Sequence, residues 1–356
     1  MVGVASEMQR QGFDIPLLLG GATTSKAHTA VKVDQQYDGP VVWVKDASRS
    51  VPVAAALLDD RQRPALLEAT EKDYASLRER HAQKNERPMI TLEKARANRT
   101  PIEWDGYTPP VPAIGLGVRE FLDYDLAELV PYFDWQPFFN AWEMKGSFPD
   151  ILNNPSTGEA ARKLYDDAQE MLEKIISEKW LTANGVLGLF PANSIGDDIE
   201  IYTDESRGQV LQTLSMLRQQ GQHREGVPNR SLADYVAPKE SGIADYVGAF
   251  AVTGGLGGQT KIAEFKADHD DYNAILLEAL ADRFAEAFAE RLHERVRTEY
   301  WGYSPDEALD NKGLIKEQYQ GIRPAPGYPA CPEHTEKEKI WDLLDVDEIG
   351  IEQIGR

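Results

Sequence analysis

The first 60 residues alternate between short apolar runs and helix-like stretches. A helix tail (VGVASEMQRQ) leads into IPLLL, the turn GGATT, a helix (SKAHTAVKVDQQY), the run PVVWV and a further helix (SVPVAAALLDD). Strand, helix and strand in that order imply parallel pairing, because the crossover helix returns the chain to the same end of the sheet. Sheets wound this way bind ligands where strands end and helices begin, so the glycine turn and the later turn VKDASRS would share one edge. Two parallel strands cannot cover both faces of an independent sheet. Residues 1–60 are therefore expected to be the C-terminal part of a doubly wound, Rossmann-like domain whose beginning lies upstream.

Residues 61–110 change character. A charged helical stretch (ALLEATEKDYASLRERHAQKNER) precedes RPMITLEKA, RTPIEW and YTPPVPAIG, whose prolines forbid helix and favour extended backbone. This segment reads as an interdomain linker. Residues 111–356 carry enough pattern for a second domain, of mixed α+β class. Helical stretches are SFPDILNNPSTGEAARKLYDDAQEMLEKIISEKW and NAILLEALADRFAEAFAERLHERVRTEYWGY, with strands GVLGLFPA, DIEIYT and YVGAFAVTG between them. In the long helix Ile275, Leu276, Ala279, Leu280, Phe284, Ala287, Phe288, Leu292 and Val296 form an apolar stripe. Glu278, Asp282, Glu286 and Glu290 recur at four-residue steps and read as a solvated flank.

A net charge of −21 opposes nucleic-acid binding, which needs a basic face to neutralise phosphates. No apolar run reaches the roughly 20 residues that span a bilayer, and the N-terminus lacks the apolar core of a signal peptide. The single cysteine, Cys331, excludes an internal disulfide framework, and a reducing, cytoplasmic location is the default.

Several clusters invite a chemical role. Gly20 and Gly21 follow an apolar strand but lack the Gly-Lys-Ser/Thr ending of a nucleotide-triphosphate loop; they suit a close ligand approach or an ordinary capped turn. His28 lies within the next helix and reads as packed or exposed. Asp134, in FDWQPFF, is a carboxylate among aromatics with the position of a helix N-cap. Arg323, in GIRPAPGY, occupies a proline-stiffened loop, where it suits two-pronged pairing with a carboxylate, either a ligand's or an anchoring one. Cys331, Glu333, His334 and Glu336 do not make a metal site, having one thiol and one imidazole and no second pair at suitable spacing. Capping of a helix that begins at Thr335, Glu336 and Lys337 fits them better. The glycines of VTGGLGG lack dinucleotide-site spacing and read as a flexible turn.

GGATTSKAHTAVK followed by DASR resembles the end of the cobalamin-binding domain of cobalamin-dependent methionine synthases. DWQPFF, FPAN with GDDIEIY, DYVGAFAVTGG and RPAPGYPACPEHTEK resemble, in the same order, the S-adenosylmethionine-binding activation domain of that family. The resemblance runs over nearly the whole chain. It implies an internal fragment: a truncated cobalamin domain over 1–60, a linker over 61–110, and an activation domain over 111–356 with long helices around a twisted, mainly antiparallel sheet. The family's activation domain continues past Arg356 with an aromatic pair that contacts the ligand, so the pocket is expected to be incomplete.

The site residues follow from that resemblance. Asp134 would accept from the α-amino group of S-adenosylmethionine, and Arg323 would hold its carboxylate. Ala325 and Tyr328 would supply backbone and wall contacts, with Glu286 and Glu317 nearby; for these two an exposed helix charge is the competing reading. Gly20, Gly21 and Ala47 would be backbone contacts to the nucleotide tail of cobalamin. The cobalt-ligating Asp-x-His-x-x-Gly motif is missing, as is the upstream zinc-bearing module. The complete enzyme moves a methyl group from 5-methyltetrahydrofolate to homocysteine through cobalamin. This part would support reductive reactivation of the cofactor, with S-adenosylmethionine as methyl donor and an electron from a flavodoxin-like reductase. No catalytic side chain is expected, and the fragment alone should be inactive. A different class, a stand-alone S-adenosylmethionine-binding or electron-transfer docking module, would share these motifs.

Overall fold

The computed structural model describes residues 1–20, 24–45, 47–85 and 88–350. Contacts divide the chain into two units, Met1–Ile90 and Thr91–Arg356. In the first, strands β1 (Leu17–Gly20) and β2 (Val41–Val44) pair in parallel with Leu17 opposite Val41 and Gly20 opposite Val44. The connection is the helix expected, continuous over residues 26–36 but irregular in its winding. It runs as α-helix over Lys26–His28, π-helix over Thr29–Val33 and 3₁₀-helix over Asp34–Gln36. The Thr29 hydroxyl donates to the Ser25 carbonyl at 3.1 Å, a back-bond that bends helices, and branched side chains at 29, 31 and 33 crowd the turn. A small core of Ala5, Leu19, Val33, Tyr37 and Val41 joins helix Val2–Arg10 to the strands.

The expected linker, 61–110, is shared between the units. Helix Arg63–Asn85 belongs to the first: Tyr74 is buried and its hydroxyl accepts from the Trp43 N–H at 2.8 Å, and Arg78 pairs with Asp34 at 2.7 Å. Residues 91–110 belong to the second. Asn98 donates to the Asn229 side chain at 2.8 Å, and the Trp301 indole donates to the Pro110 carbonyl at 2.8 Å. The expectation of extended backbone fails at the start of this stretch, where Thr91 caps a short helix, Leu92–Ala97; no helix forms over the proline-bearing residues 99–110.

The second unit is built on one antiparallel sheet of β3 (Gly117–Phe121), β4 (Thr182–Ile195), β5 (Asp198–Tyr202), β6 (Val210–Ser215) and β7 (Asp245–Leu256). β4 is its axis. One edge pairs with β7 along nearly its whole length; the other is shared by β3 over 185–189 and β5 over 192–195. Side chains alternate through β4 because the strand period is two: Ala183, Leu187 and Leu189 enter one core, Val186, Phe190 and Ala192 the other. The first core is closed by helices Gly158–Ser177 and Asp271–Arg295, the second by helix Glu336–Leu344. The Glu336 carboxylate, buried, accepts from the Ser215 N–H at 2.9 Å and fastens that last helix to β6.

Three expectations are corrected. The stripe of the long helix excludes Ile275, which is exposed, and includes Ala274 and Leu277. The glycine-rich VTGGLGG is no flexible turn: its first five residues are strand β7, and Gly258 opens helix Gly258–Ala267. A Cβ at Gly254 would lie 2.6 Å from Phe284 Cβ and 2.7 Å from the Ala285 nitrogen, so the glycine lets β7 approach the long helix. Thr335 precedes helix Glu336–Leu344 without a side-chain cap bond; its hydroxyl donates to Glu333 at 3.0 Å instead. Among the described residues no helix is long and apolar enough to cross a membrane.

Candidate functional site

The Asp271–Arg295 helix is buried on one side, and its opposite flank meets the irregular chain between Tyr300 and Cys331. Glu286, Glu290, His293 and Arg297 are spaced by four, three and four residues, so they share that flank. Glu286 is exposed. Glu290 is not the solvated charge expected: its side chain is only 19% exposed and pairs with Arg323. Burial pushes its carboxyl upward, against the opposing pull of the Arg323 and Arg297 charges.

Arg297 follows the helix in a π-turn and is completely buried. Its Nε and Nη2 donate to the two oxygens of Glu307 at 2.8 and 2.5 Å, and its Nη1 lies 2.6 Å from His293 Nδ1. The guanidinium also lies over the Tyr319 ring, 4.2 Å from its centroid. Burial, then the charges of Arg297 and Arg323, hold His293 neutral and pull its pKa down to about 2. These contacts tie Glu307 and Tyr319 to the helix. An open depression of about 460 Å³ lies on their outer side, lined by Tyr303, Asp306, Leu309 and Gln318 among others, and not by Asp134, Arg323 or Tyr328.

The loop Arg323–Cys331 is stitched internally. Tyr328 N–H donates to the Ala325 carbonyl at 3.0 Å, Cys331 N–H to the Tyr328 carbonyl at 2.9 Å, and Gly327 N–H to the Cys331 carbonyl at 2.8 Å. The Cys331 thiol, buried, donates to Ala325 as well, at 3.1 Å. Ala325 therefore has its carbonyl occupied, and the backbone contact it can offer a ligand is its N–H. Gly327, at φ +103°, carries no Cβ because His334 would meet one at 2.2 Å. Tyr328 is exposed, at 62%.

Asp134 is the N-cap of helix Trp135–Ala141, accepting from the Gln136 N–H at 2.9 Å. It reaches the same region through two neighbours. The Phe133 ring meets Phe284 edge-on, with centroids 4.9 Å apart, and the Phe133 carbonyl accepts from Asn311 at 3.0 Å. Asn311 begins the short helix Asn311–Ile315, and Glu317 follows it, exposed and at φ +52°. That is the left-handed conformation common just past a helix end, and seven other non-glycine residues among those described share it. Asp134, Glu286, Glu317 and Arg323 are thus all anchored, directly or through one neighbour, to the Asp271–Arg295 helix or the chain that follows it.

The residues expected to contact cobalamin lie in the first unit. At Gly20 a Cβ would strike Val44, whose carbonyl lies 2.2 Å away, so strand pairing alone requires the glycine. Gly21 lies outside the described residues. Ala47 opens helix Ala47–Leu58, with its side chain outside the description. His28 is exposed, and its N–H donates to the capping Ser25 hydroxyl at 3.1 Å.

The family model for the activation domain of vitamin B12 dependent methionine synthase matches residues 125–354, more than half of the chain. The chain belongs to that family. A crystal structure of the MetH reactivation domain bound to AdoHcy is similar to it, with 56% identity and a TM-score of 0.69 over 72% of this chain and 78% of that one. The match extends over the mixed α/β unit with its antiparallel sheet and long helices. In this activation domain sequence reasoning missed Glu290, His293, Arg297 and Glu307. The only signal in the sequence was that Glu290 and Arg297 are charged residues beside a histidine on one helix flank, a pattern shared with many solvated helices.

Proposed function

We propose that the second unit binds S-adenosylmethionine along the Glu286–Glu290 flank, Arg323 taking the α-carboxylate and Asp134 the α-ammonium. Ala325 N–H and the Tyr328 ring would border the ligand, with Glu286 and Glu317 adding negative potential for a ligand that carries a net positive charge. The observation that carries this reading is Arg323 itself: a half-buried guanidinium presented by a loop whose own hydrogen bonds fix it. Such a loop is preorganised, so little ordering cost opposes binding. The similar MetH domain was crystallised with AdoHcy, which is S-adenosylmethionine without its transferable methyl group.

In the complete enzyme, on this reading, the unit serves methionine synthase, which transfers methyl from 5-methyltetrahydrofolate to homocysteine through cobalamin. Cobalamin, where bound, would supply the metal that accepts the methyl group, the electron coming from a flavodoxin-like reductase and S-adenosylhomocysteine leaving. This chain's residues bind and aim the donor; its contribution to rate is placement. Residues 1–60 would belong to the cobalamin-binding domain, with Gly20, Gly21 and Ala47 along the nucleotide tail, and the protein would be cytoplasmic.

Isothermal titration of the 356-residue chain with S-adenosylmethionine tests the binding step. Arg323→Ala should weaken it about tenfold to a hundredfold, the loss expected for a charge-assisted pair. Unchanged affinity would refute the assignment.

A further inference from the structure

Two buried polar atoms beside the site lack a hydrogen-bond partner, Arg323 Nε and Glu290 Oε2, and they belong to residues already joined to each other. The existing bond runs from Arg323 Nη2 to Glu290 Oε1. In a guanidinium the Nε and Nη2 hydrogens lie on one edge and match the two oxygens of a carboxylate. The two unpartnered atoms are therefore the unmade half of a single fork.

Arg297 shows the completed version. Its Nε and Nη2 engage both oxygens of Glu307, and the opposite edge, through Nη1, is left for His293. Arg323 offers the same side edge to Glu290, but it sits on a surface loop and not in the core. The Tyr319 hydroxyl also accepts from Arg323; on the proposed binding reading, what remains of the edge away from Glu290 is what a ligand would meet.

We infer that Glu290 is a positioning residue: it clamps the Nε/Nη2 edge of Arg323 so that the other edge is presented to the carboxylate of an α-amino-acid ligand. The inference rests on the proposed S-adenosylmethionine reading. An arginine on a loop has many rotamers, and fixing it beforehand removes that ordering from the binding step. A competing arrangement, in which the ligand carboxylate displaces Glu290, would leave a half-buried carboxylate without a partner. That is the costlier outcome.

The test compares two ligands on the full chain. S-Adenosylhomocysteine carries the amino-acid end; 5′-methylthioadenosine keeps the nucleoside and thioether but lacks it. Glu290→Gln is nearly isosteric and should weaken S-adenosylhomocysteine about tenfold while leaving 5′-methylthioadenosine within about twofold, because only the first meets Arg323. Glu290→Asp, which keeps the charge but shortens the reach, should fall between wild type and Gln. In an Arg323→Ala background, Glu290→Gln should add nothing. Equal loss for both ligands would indicate a merely structural residue, and no loss, tighter binding or additivity would equally overturn the clamp. Should Arg323→Ala itself bind S-adenosylhomocysteine as wild type does, the binding reading has failed and the clamp falls with it; with Arg323 essential and Glu290 silent, the clamp alone fails.

Discussion

His293 shows how the fold decides a residue's charge. It is buried, accepts from Arg297 through Nδ1, and meets Tyr319 edge-on at 4.8 Å. An unfolded histidine titrates near 6.5, whereas this one is held neutral down to about 2. Between those values the unfolded chain binds a proton that the native chain does not. Stability is therefore full above pH 6.5 and falls as the pH drops through that window, by up to about 1.4 kcal/mol per pH unit from this residue alone. His293→Asn, whose side-chain carbonyl can still accept from Arg297, should flatten the urea-denaturation stability profile by one proton between pH 6 and 4.5. Parallel profiles for variant and wild type would mean that the native histidine takes up the proton. None of this was legible in the sequence, where His293 falls at a helical position without a motif. Its environment comes from Arg297, Tyr319 and Arg323, the last two supplied by chain 26 and 30 residues away. Asp134 and Arg323, by contrast, stood out because a carboxylate among aromatics and an arginine among prolines are unusual in themselves.

Among the elements, the apolar strands β4, β5 and β7 were readable and the outer strands β3 and β6 were not. β4, β5 and β7 are rich in apolar residues that the core claims, so their existence follows from composition. β3 and β6 have mostly exposed or half-buried side chains, with Val118, Val210 and Leu211 open to solvent, and no periodicity announces them. The glycines of β7 mislead for a related reason: glycine serves equally for a turn and for close packing, and only the neighbour distinguishes them. Two substitutions separate these uses. Gly254→Ala would push a methyl group onto the backbone of Phe284 and Ala285, which cannot swing aside, and should cost about 3 kcal/mol by overpacking. Gly196, at φ +63° in the two-residue turn between β4 and β5, has open space around it. Gly196→Ala should cost only the left-handed backbone penalty, about 1 kcal/mol. Thermal melts that rank the two variants the other way would contradict the packing role of Gly254.

At the scale of the whole molecule, the two units differ in how much structure supports them. The second has a five-stranded sheet with cores on both faces. The first has, among the described residues, one pair of parallel strands and a small core around Ala5, Leu19, Val33, Tyr37 and Val41. Small cores leave little margin against chain entropy, so the first unit should melt at the lower temperature. Every residue assigned to S-adenosylmethionine lies in the second. A ligand that binds only the native form of one unit raises the stability of that unit alone, by about 2.7 kcal/mol at a hundredfold excess over Kd. Calorimetry of the full chain should show two transitions, and S-adenosylhomocysteine should move the upper one by roughly 5 °C or more and leave the lower in place. A shift of the lower transition would place ligand contacts in residues 1–90, and a single transition moved as a whole would show that the two units unfold as one.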